Sequence, residues 1–245
     1  MKHKKNTQIA APVVILVRPQ LSQNMGMVAR AMMNCGLSEL RLVGPKQSHL
    51  SDQAVSAASG AQVILEEARV FDTLSDALAD IQYAFATTAR TRDMVKPVYS
   101  PQKAVSKINS FLKSKQKVAL VFGPERTGLE NEDIMMANAL LCVDLNPLHP
   151  SLNLAQAVLL IGWCWWQGRG KTSKVCCENL APQKEVQLFL DFLENLLQEK
   201  GYFQWKDKKN RMICNMRNIF MRNELTSSEI KTLYRMVKTL SKRKK

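Results

Sequence analysis

Three short blocks of glycine and polar residues each follow an apolar run in this chain. The blocks span residues 24–30, 122–129 and 146–153; the first two carry glycines, and the polar residues of the three include asparagine, arginine, glutamate and serine. The apolar runs are typical of buried parallel strands, and open α/β sheets bind ligands at the carboxyl ends of such strands. One block alone would indicate a turn, whereas three at the same edge of one sheet predict a ligand site.

The first block joins the start of a helix to an arginine. Asn24 stands where a helix is expected to begin, which predicts an N-cap, and Gly26 permits close approach of the backbone. Arg30 lies six residues after Asn24, so the two side chains point to different sides of the helix. Because an arginine on a helix is most often a surface residue, the residues alone leave a surface role and a catalytic role open for Arg30.

The second block is similar to a phosphate loop but lacks its essential parts. Residues 123–128 do not carry the Gly-Lys-Ser/Thr ending of a nucleoside-triphosphate loop, nor the Gly-x-Gly-x-x-Gly of dinucleotide-binding folds. Both functions are therefore disfavoured. What remains is a glycine-lined turn at the end of a strand, which suits backbone contact with a small ligand.

The third block resembles a motif of a different enzyme class. Asn146 and Pro147 after an apolar strand are similar to the Asn-Pro-Pro-aromatic signature of amino-group methyltransferases, but Leu148 replaces the second proline. Those enzymes also carry a glycine-rich turn after their first strand, where this chain has Arg-Pro-Gln at 18–20. That interpretation fails on both counts.

Short apolar runs alternate with helical patterns along the first two thirds of the chain. The pattern predicts strands at 13–17, 40–43, 68–71, 83–87, 118–122 and 140–145. It predicts helices at 24–35, 52–59, 73–80, 101–114, 130–138 and 152–167. This alternation predicts an α/β fold with a parallel sheet flanked by helices.

Composition divides the chain into a mildly charged part and a strongly basic one. Residues 1–170 carry 18 Lys/Arg against 13 Asp/Glu (+5), and residues 171–245 carry 17 against 8 (+9), which together give the net charge of +14. We predict a domain at 1–170, a linker at 171–182 and a basic, all-helical extension at 183–245. The charge favours a polyanion partner, RNA or DNA ahead of a membrane, although a solvated helical face gives the same pattern.

Cysteine, histidine and apolar segments argue against several other classes. The six cysteines include no CxxC pair and the three histidines are scattered, so no metal site is expected and a reducing compartment is the simplest interpretation. The apolar stretch near the start ends in Arg18 and Pro19 without a small-residue cleavage site. Residues 154–166 are too short to span a bilayer. These features predict a cytoplasmic protein without a membrane partner.

Taken in order, the three blocks resemble the SPOUT superfamily, specifically the SpoU/TrmH-type RNA ribose 2′-O-methyltransferases and within them the TrmJ-like tRNA enzymes. The stretch Thr87-Thr-Ala-Arg-Thr-Arg92 lies between the first and second blocks and belongs to the same pattern. The resemblance covers about residues 13–167, with a looser likeness at 216–222. It implies a C-terminal trefoil knot, S-adenosylmethionine as cofactor with S-adenosylhomocysteine as product, and a homodimer whose site draws on both subunits.

The resemblance also implies roles for individual residues. The residues that it places around the cofactor are Thr87, Thr88, Ala89, Gly123, Gly128, Val143, Pro150, Ser151 and Leu152. Pro150 stands where related enzymes often have a serine, so a side-chain hydrogen bond from that position is lost. Arg30 is the candidate that stabilises negative charge on the ribose 2′ oxygen, because an arginine side chain stays protonated and is a poor general base. Asn24, Glu125, Ser151 and Asn153 are expected to orient Arg30 and the ribose.

The resemblance further implies that the substrate is tRNA, methylated at anticodon-loop nucleotide 32. The RNA-binding residues expected from position and charge are Arg30, Arg90, Arg92, Lys208, Lys209, Arg211, Arg217 and Arg222. Ribosomal RNA, another tRNA position, an inactive RNA-binding protein of the same fold and a nucleotide-binding α/β protein of another kind remain alternatives. The basic extension either grips RNA or serves as a solvated or dimer-stabilising helical region.

Overall fold

A parallel sheet forms the centre of the protein, whose computed structural model describes residues 10–88, 96–169, 179–204 and 208–241. Its strands within that part are β1 (Val13–Val17), β2 (Leu40–Val43), β3 (Arg69–Phe71), β4 (Tyr83–Thr87), β5 (Val98–Tyr99), β6 (Val118–Phe122) and β7 (Ala139–Leu141). They lie in the order β3-β2-β1-β6-β4-β7-β5, and every pairing is parallel. The strand order changes direction beside β1 and β6, which is where such sheets open a crevice.

Helices cover both faces of the sheet. They are α1 (Ser22–Asn34), α2 (Asp52–Ala58), α3 (Gln62–Glu66), α4 (Leu74–Leu78), α5 (Pro101–Lys113), α6 (Asn131–Met135) and α7 (Leu154–Gly168). One core layer joins Val14 and Leu16 to α1, α5 and α7, and the other joins Val13 and Ile15 to α4 and α6. Alternate β1 side chains thus enter opposite cores, which explains why the strand sequences are apolar throughout.

The sequence-based elements are largely confirmed, although the bounds of several helices differ and three larger differences occur in the strands and short helices. The last predicted strand, 140–145, ends at Leu141, because the chain then leaves the sheet to border a cavity described below. The two-residue β5 and the five-residue α3 were not predicted. The two residues of β5 are too few to carry a periodic signal.

Gly26 has the close backbone approach that its position predicts. A Cβ atom there would lie 2.1 Å from the carbonyl oxygen of Ala54 in α2. Only glycine lets α1 cross α2 at this separation. The crossing holds the first polar block against its neighbouring helix.

The extension forms three helices with their own small core. They are α8 (Gln183–Glu199), α9 (Lys209–Met221) and α10 (Ser227–Ser241). A capping box precedes α10, since Thr226 Oγ1 accepts a hydrogen bond from the Glu229 N–H and Glu229 Oε2 accepts one from the Thr226 N–H. Phe189, Leu190 and Ile230 are among the residues buried between these helices.

Buried polar contacts fix the extension to the sheet. Asn138, just before β7, accepts a hydrogen bond from Gln183 Nε2 at 2.7 Å and donates one to the Met221 carbonyl at 3.2 Å. Most of the predicted linker lies outside the described residues. Its final part is packed, because Leu180 is buried and pairs with Thr226.

In the part of the chain that the structure describes, no helix is long and apolar enough to cross a membrane. Within the same residues, no group of histidine, cysteine and carboxylate side chains is arranged to hold a metal ion.

Candidate active site

A cavity of about 250 Å³ opens at the carboxyl ends of β4, β6 and β7. Its inner wall contains the buried side chains of Phe122, Leu141, Leu154 and Ile161. The predicted cofactor residues that line it are Thr87, Thr88, Gly123, Gly128, Val143, Pro150, Ser151 and Leu152. Ala89, Arg90 and Arg92 lie outside the described residues. The structure therefore brings the described members of that set to one place.

The second polar block forms a closed loop that requires its glycines. A Cβ atom on Gly123 would lie 2.2 Å from the Leu129 nitrogen and 2.4 Å from the Gly128 carbonyl carbon. Gly128 has a φ of +68° and donates its N–H to the Pro124 carbonyl at 2.9 Å. Since both contacts involve backbone, the loop can fold back on the end of β6 only with glycine at position 123.

Two threonines secure the end of β4 beside this loop. Thr87 Oγ1 donates a hydrogen bond to the Val121 carbonyl at 2.9 Å, and the Thr88 N–H donates to the Leu141 carbonyl at 3.1 Å. These bonds connect β4 to both neighbouring strands at the cavity. The end of β4 is thereby held in place beside the ends of β6 and β7 at the cavity.

A chain of side-chain hydrogen bonds joins the three polar blocks. Asn24 Nδ2 donates to Glu125 Oε1 at 2.9 Å, and Asn153 Nδ2 donates to Asn24 Oδ1 at 3.1 Å. Asn153 is also the N-cap of α7, where its Oδ1 accepts the Ala155 N–H at 2.8 Å. The loop after β6, the helix α1 and the helix α7 are thus fixed relative to one another at the cavity.

Glu125 caps the start of α1 from across the sheet edge. Its carboxylate accepts the N–H groups of Gln20 at 2.9 Å and Leu21 at 3.2 Å, and Gln47 Oε1 accepts the N–H of Ser22 at 2.8 Å. A carboxylate is favourable here because the first amides of a helix lack partners and carry partial positive charge. Glu125 is therefore an orienting group that sets the position of α1.

The prediction that Asn24 caps α1 was wrong. Leu21 is the N-cap residue, and Asn24 lies within the helix, where its side chain is buried. The helix begins earlier than its sequence indicates because Gln47 accepts its first N–H and Glu125 accepts the two N–H groups before it, and both residues are distant in the chain. No local pattern around residue 24 contains that information.

Arg30 lies on the exposed side of α1. Within the described residues it has no hydrogen bond or ion pair, and the chain of bonds through Asn24, Glu125 and Asn153 does not include it. Ser151 is exposed at the cavity mouth beside Pro150. Of the five predicted catalytic residues, Glu125 and Ser151 thus line the cavity, and Asn24 and Asn153 are joined to Glu125 by hydrogen bonds. Arg30 faces solvent.

The predicted RNA-binding residues of the extension fall into two groups. Lys208, Arg211 and Arg222 are exposed, and Lys209 is partly so. Arg217 instead pairs with carboxylates of α8, at 2.6 Å from Asp191 and 2.7 Å from Glu194.

Arg217 therefore leaves the proposed RNA-binding set. Burial acts to lower its pKa, but the hydrogen bonds from Asp191 and Glu194 outweigh that effect and raise the pKa. An RNA phosphate would have to displace both carboxylates. The residue serves instead to fasten α9 to α8.

Sequence reasoning did not identify a buried lysine at the amino edge of the sheet, just before β5. Lys96 follows the segment 89–95, and its Nζ donates hydrogen bonds to the carbonyls of Ala137 at 2.7 Å and Met135 at 3.3 Å. Burial lowers its pKa to about 8. The contacts anchor the chain to the end of α6. A lone lysine beside a proline gives no sequence signal for this role.

The fold, the cavity and the order of the blocks agree with comparison to known proteins. A model of the SpoU rRNA Methylase family matches residues 11–163, which include all three blocks. The chain belongs to the SpoU methylase family. The SpoU match ends within α7, and the extension lies beyond it.

Relatives within the SpoU family extend the similarity to the whole chain. A tRNA (cytidine/uridine/adenosine-2′-O-)-methyltransferase TrmJ of Pseudomonas aeruginosa is 33% identical over 232 residues, 90% of each chain. A tRNA (cytidine/uridine-2′-O-)-methyltransferase TrmJ of Klebsiella pneumoniae is 31% identical over 240 residues, 95% of this chain and 97% of that protein. The crystal structure of TrmJ from Z. mobilis aligns with a TM-score of 0.87 at 41% identity, covering 95% of this chain and 100% of that one. The resemblance to the TrmJ-like branch is confirmed.

Proposed function

We propose that this SpoU-family protein transfers a methyl group from S-adenosylmethionine to a ribose 2′ oxygen of tRNA, at anticodon-loop nucleotide 32. The observation that carries the proposal is the cavity, around which one hydrogen-bonded chain connects all three polar blocks. The names of the two TrmJ relatives support tRNA and the 2′-O position. A cytoplasmic location is part of the proposal, since that is where the substrate is used.

The cavity residues suit S-adenosylmethionine. The buried apolar wall at Phe122, Leu141 and Ile161 fits a flat purine, and the backbone of residues 123–128 offers donors and acceptors to polar groups. Pro150 contributes a carbonyl but no side-chain donor. Residues Thr87, Thr88, Gly123, Gly128, Val143, Ser151 and Leu152 would hold the cofactor with it.

In this mechanism the cofactor supplies an activated methyl group on a sulfonium centre. As the methyl group is transferred, the 2′ hydroxyl would release its proton to water, and Arg30 would stabilise the negative charge that develops on the 2′ oxygen as a preorganised cation. Glu125, Asn24 and Asn153 keep α1, and therefore Arg30, at a fixed position relative to the cavity edges. Ser151, exposed at the cavity mouth, orients the ribose.

A homodimer explains why Arg30 faces away from its own cavity. Arg30 and Met33 share the exposed side of α1, and Leu159 and Trp163 share that of α7, which packs beside α1. Trp163 is 56% exposed. An apolar strip of this kind, with an arginine in it, suits a second copy of the chain, so that Arg30 serves the partner's cavity. The C-terminal trefoil knot, formed by the chain after β7, belongs to the same proposal.

Replacing Trp163 with glutamate tests the dimer. We expect Trp163→Glu to sediment as a monomer and to lose methyl transfer, because a charge would be buried in the apolar interface. Leu188→Glu, at a similarly exposed position on α8, is the matched control and should leave both properties unchanged. A Trp163→Glu protein that remains dimeric, or that is monomeric and fully active, would refute this interface.

The extension is proposed to grip the RNA backbone through Lys208, Lys209, Arg211 and Arg222. Deleting the whole extension would not be a clean test, because Asn138 and neighbouring buried groups would lose their partners. Single charge replacements on the exposed face of α9 avoid that loss. Each should reduce the salt dependence of RNA binding.

Calorimetry with small ligands tests the proposed cofactor. We expect S-adenosylmethionine and S-adenosylhomocysteine to bind, and ATP and NAD to show no measurable heat of binding, because the loop at 123–128 lacks both phosphate-binding patterns. Binding of ATP or NAD would favour a different nucleotide-binding protein. Failure to bind S-adenosylmethionine while binding tRNA would favour an RNA-binding protein without activity.

A further inference from the structure

Arg126 is a cavity residue to which the mechanism above assigns no role. It lines the cavity at its mouth and is exposed, next to Thr127 at the tip of the loop after β6. Within the described residues it has neither a hydrogen bond nor an ion pair. Its neighbour Glu125 does not neutralise it, since that carboxylate accepts the amides at the start of α1.

The acidic groups that follow the loop are also directed elsewhere. Asp133 accepts two hydrogen bonds from Arg18, at 3.1 and 2.5 Å, and Glu130 lies 3.4 Å from the same guanidinium. The helices α6 and α9 are in contact, and the charge of Glu132 contributes, after burial, to raising the pKa of the Cys214 thiol. Arg126 therefore places an uncompensated positive charge at the cavity mouth.

The amino-terminal end of α9, which is basic, lies at the same edge of the sheet as the cavity. The position of the opposite end of the helix shows this. Met221, the last residue of α9, contacts Asn138, which also binds the backbone of Ala84 near the start of β4. The end of α9 is therefore at the amino edge of the sheet. Cys214 lies about 10 Å from Met221 along the axis of α9, towards the start of that helix. It is near Glu132, at the start of α6.

The first turn of α9 accordingly extends towards the carboxyl edge, where the cavity opens. That turn carries Lys208, Lys209 and Arg211. These three cations and Arg126 thus lie at the carboxyl edge of the sheet, which is the edge where the cavity opens. A nucleic-acid strand carries a phosphate at each nucleotide, so one strand can contact several separate cations.

We propose that Arg126 binds a phosphate of the RNA strand that enters the cavity mouth, and that this contact continues the basic row on α9. The inference rests on the proposed function and adds a specific residue to RNA recognition. A guanidinium can hold a phosphate through two parallel hydrogen bonds. A second anion that could use the same chemistry is the carboxylate of the cofactor, which the experiment separates.

The test compares Arg126→Gln, Arg126→Lys and the control Lys115→Gln. Lys115 is exposed just before β6 begins, at the opposite edge of the sheet. For Arg126→Gln we expect tRNA binding to weaken about tenfold and the slope of log K against log salt to fall by about 0.7 to 0.9. Arg126→Lys should restore the slope, and Lys115→Gln should match the wild-type chain. S-adenosylmethionine affinity should be unchanged in all three.

Three results would overturn the proposal. They are an unchanged salt slope in Arg126→Gln, a lysine that does not restore it, or a loss of S-adenosylmethionine affinity, which would assign Arg126 to the cofactor carboxylate. The activity of the wild-type protein separates failure of this inference from failure of the proposed function. If it methylates tRNA and Arg126→Gln binds RNA normally, only this inference fails, whereas a wild type without transfer refutes the proposed function itself.

Discussion

Arg30→Ala is expected to reduce methyl transfer by more than about a hundredfold while S-adenosylmethionine affinity stays close to that of the unmodified chain. The scale is that of removing one donor that stabilises an oxyanion in a transition state. Cofactor affinity should persist because Arg30 is exposed and does not line the cavity. Single-turnover transfer to tRNA and calorimetry with the cofactor measure the two quantities separately.

Arg235→Ala is a suitable control for this variant. Arg235 is also an exposed helical arginine, but it lies on α10, away from the three polar blocks. It should transfer methyl groups at the normal rate. Arg30→Ala with near-normal turnover would remove Arg30 from the mechanism, and a variant that fails only in dimerisation would assign it to the interface alone.

Gly123→Ala is expected to abolish measurable S-adenosylmethionine binding and to lower the free energy of unfolding by about 1–3 kcal/mol, the usual cost of forcing extra atoms into a packed site. The added Cβ would lie 2.2 Å from the Leu129 nitrogen. Since backbone on the opposite side of the loop must move, the loop opens and its polar groups leave the cavity. Calorimetry and chemical denaturation measure the two effects.

Gly128→Ala in the same loop is the matched control. Gly128 has a φ of +68°, but nothing lies within 4 Å of the position of its Cβ atom. It should therefore lose about 1–2 kcal/mol of stability through backbone strain, and it should lose less cofactor affinity than Gly123→Ala. Equal losses of cofactor affinity in the two variants would mean that the close contact at Gly123 is not what shapes the cavity.

The strands and the grouping of the blocks could be predicted because their signals are local. β1 and β6 are apolar at every position, and a glycine at 123 followed by one at 128 indicates a tight loop. The parallel arrangement then places the strand ends at one edge. The eight described cofactor candidates consequently meet around one cavity.

What could not be predicted depends on contacts between residues distant in the chain. The start of α1 is set by Glu125 and Gln47, which lie 104 and 25 residues from the amides of Leu21 and Ser22 that they accept. Arg217 has the charge expected of an RNA contact, yet in the fold it is paired with Asp191 and Glu194 of another helix. A sequence shows which residues are charged, but only the fold shows which of those charges are neutralised by a partner.

Mass spectrometry of nucleosides from unmodified tRNA, incubated with the purified protein and S-adenosylmethionine, tests the central claim most directly. The account predicts one 2′-O-methylated nucleoside, located at anticodon-loop nucleotide 32, and its absence when Arg30→Ala replaces the unmodified chain. A methyl group on a base, or no transfer by a protein that binds both S-adenosylmethionine and tRNA, would contradict the account.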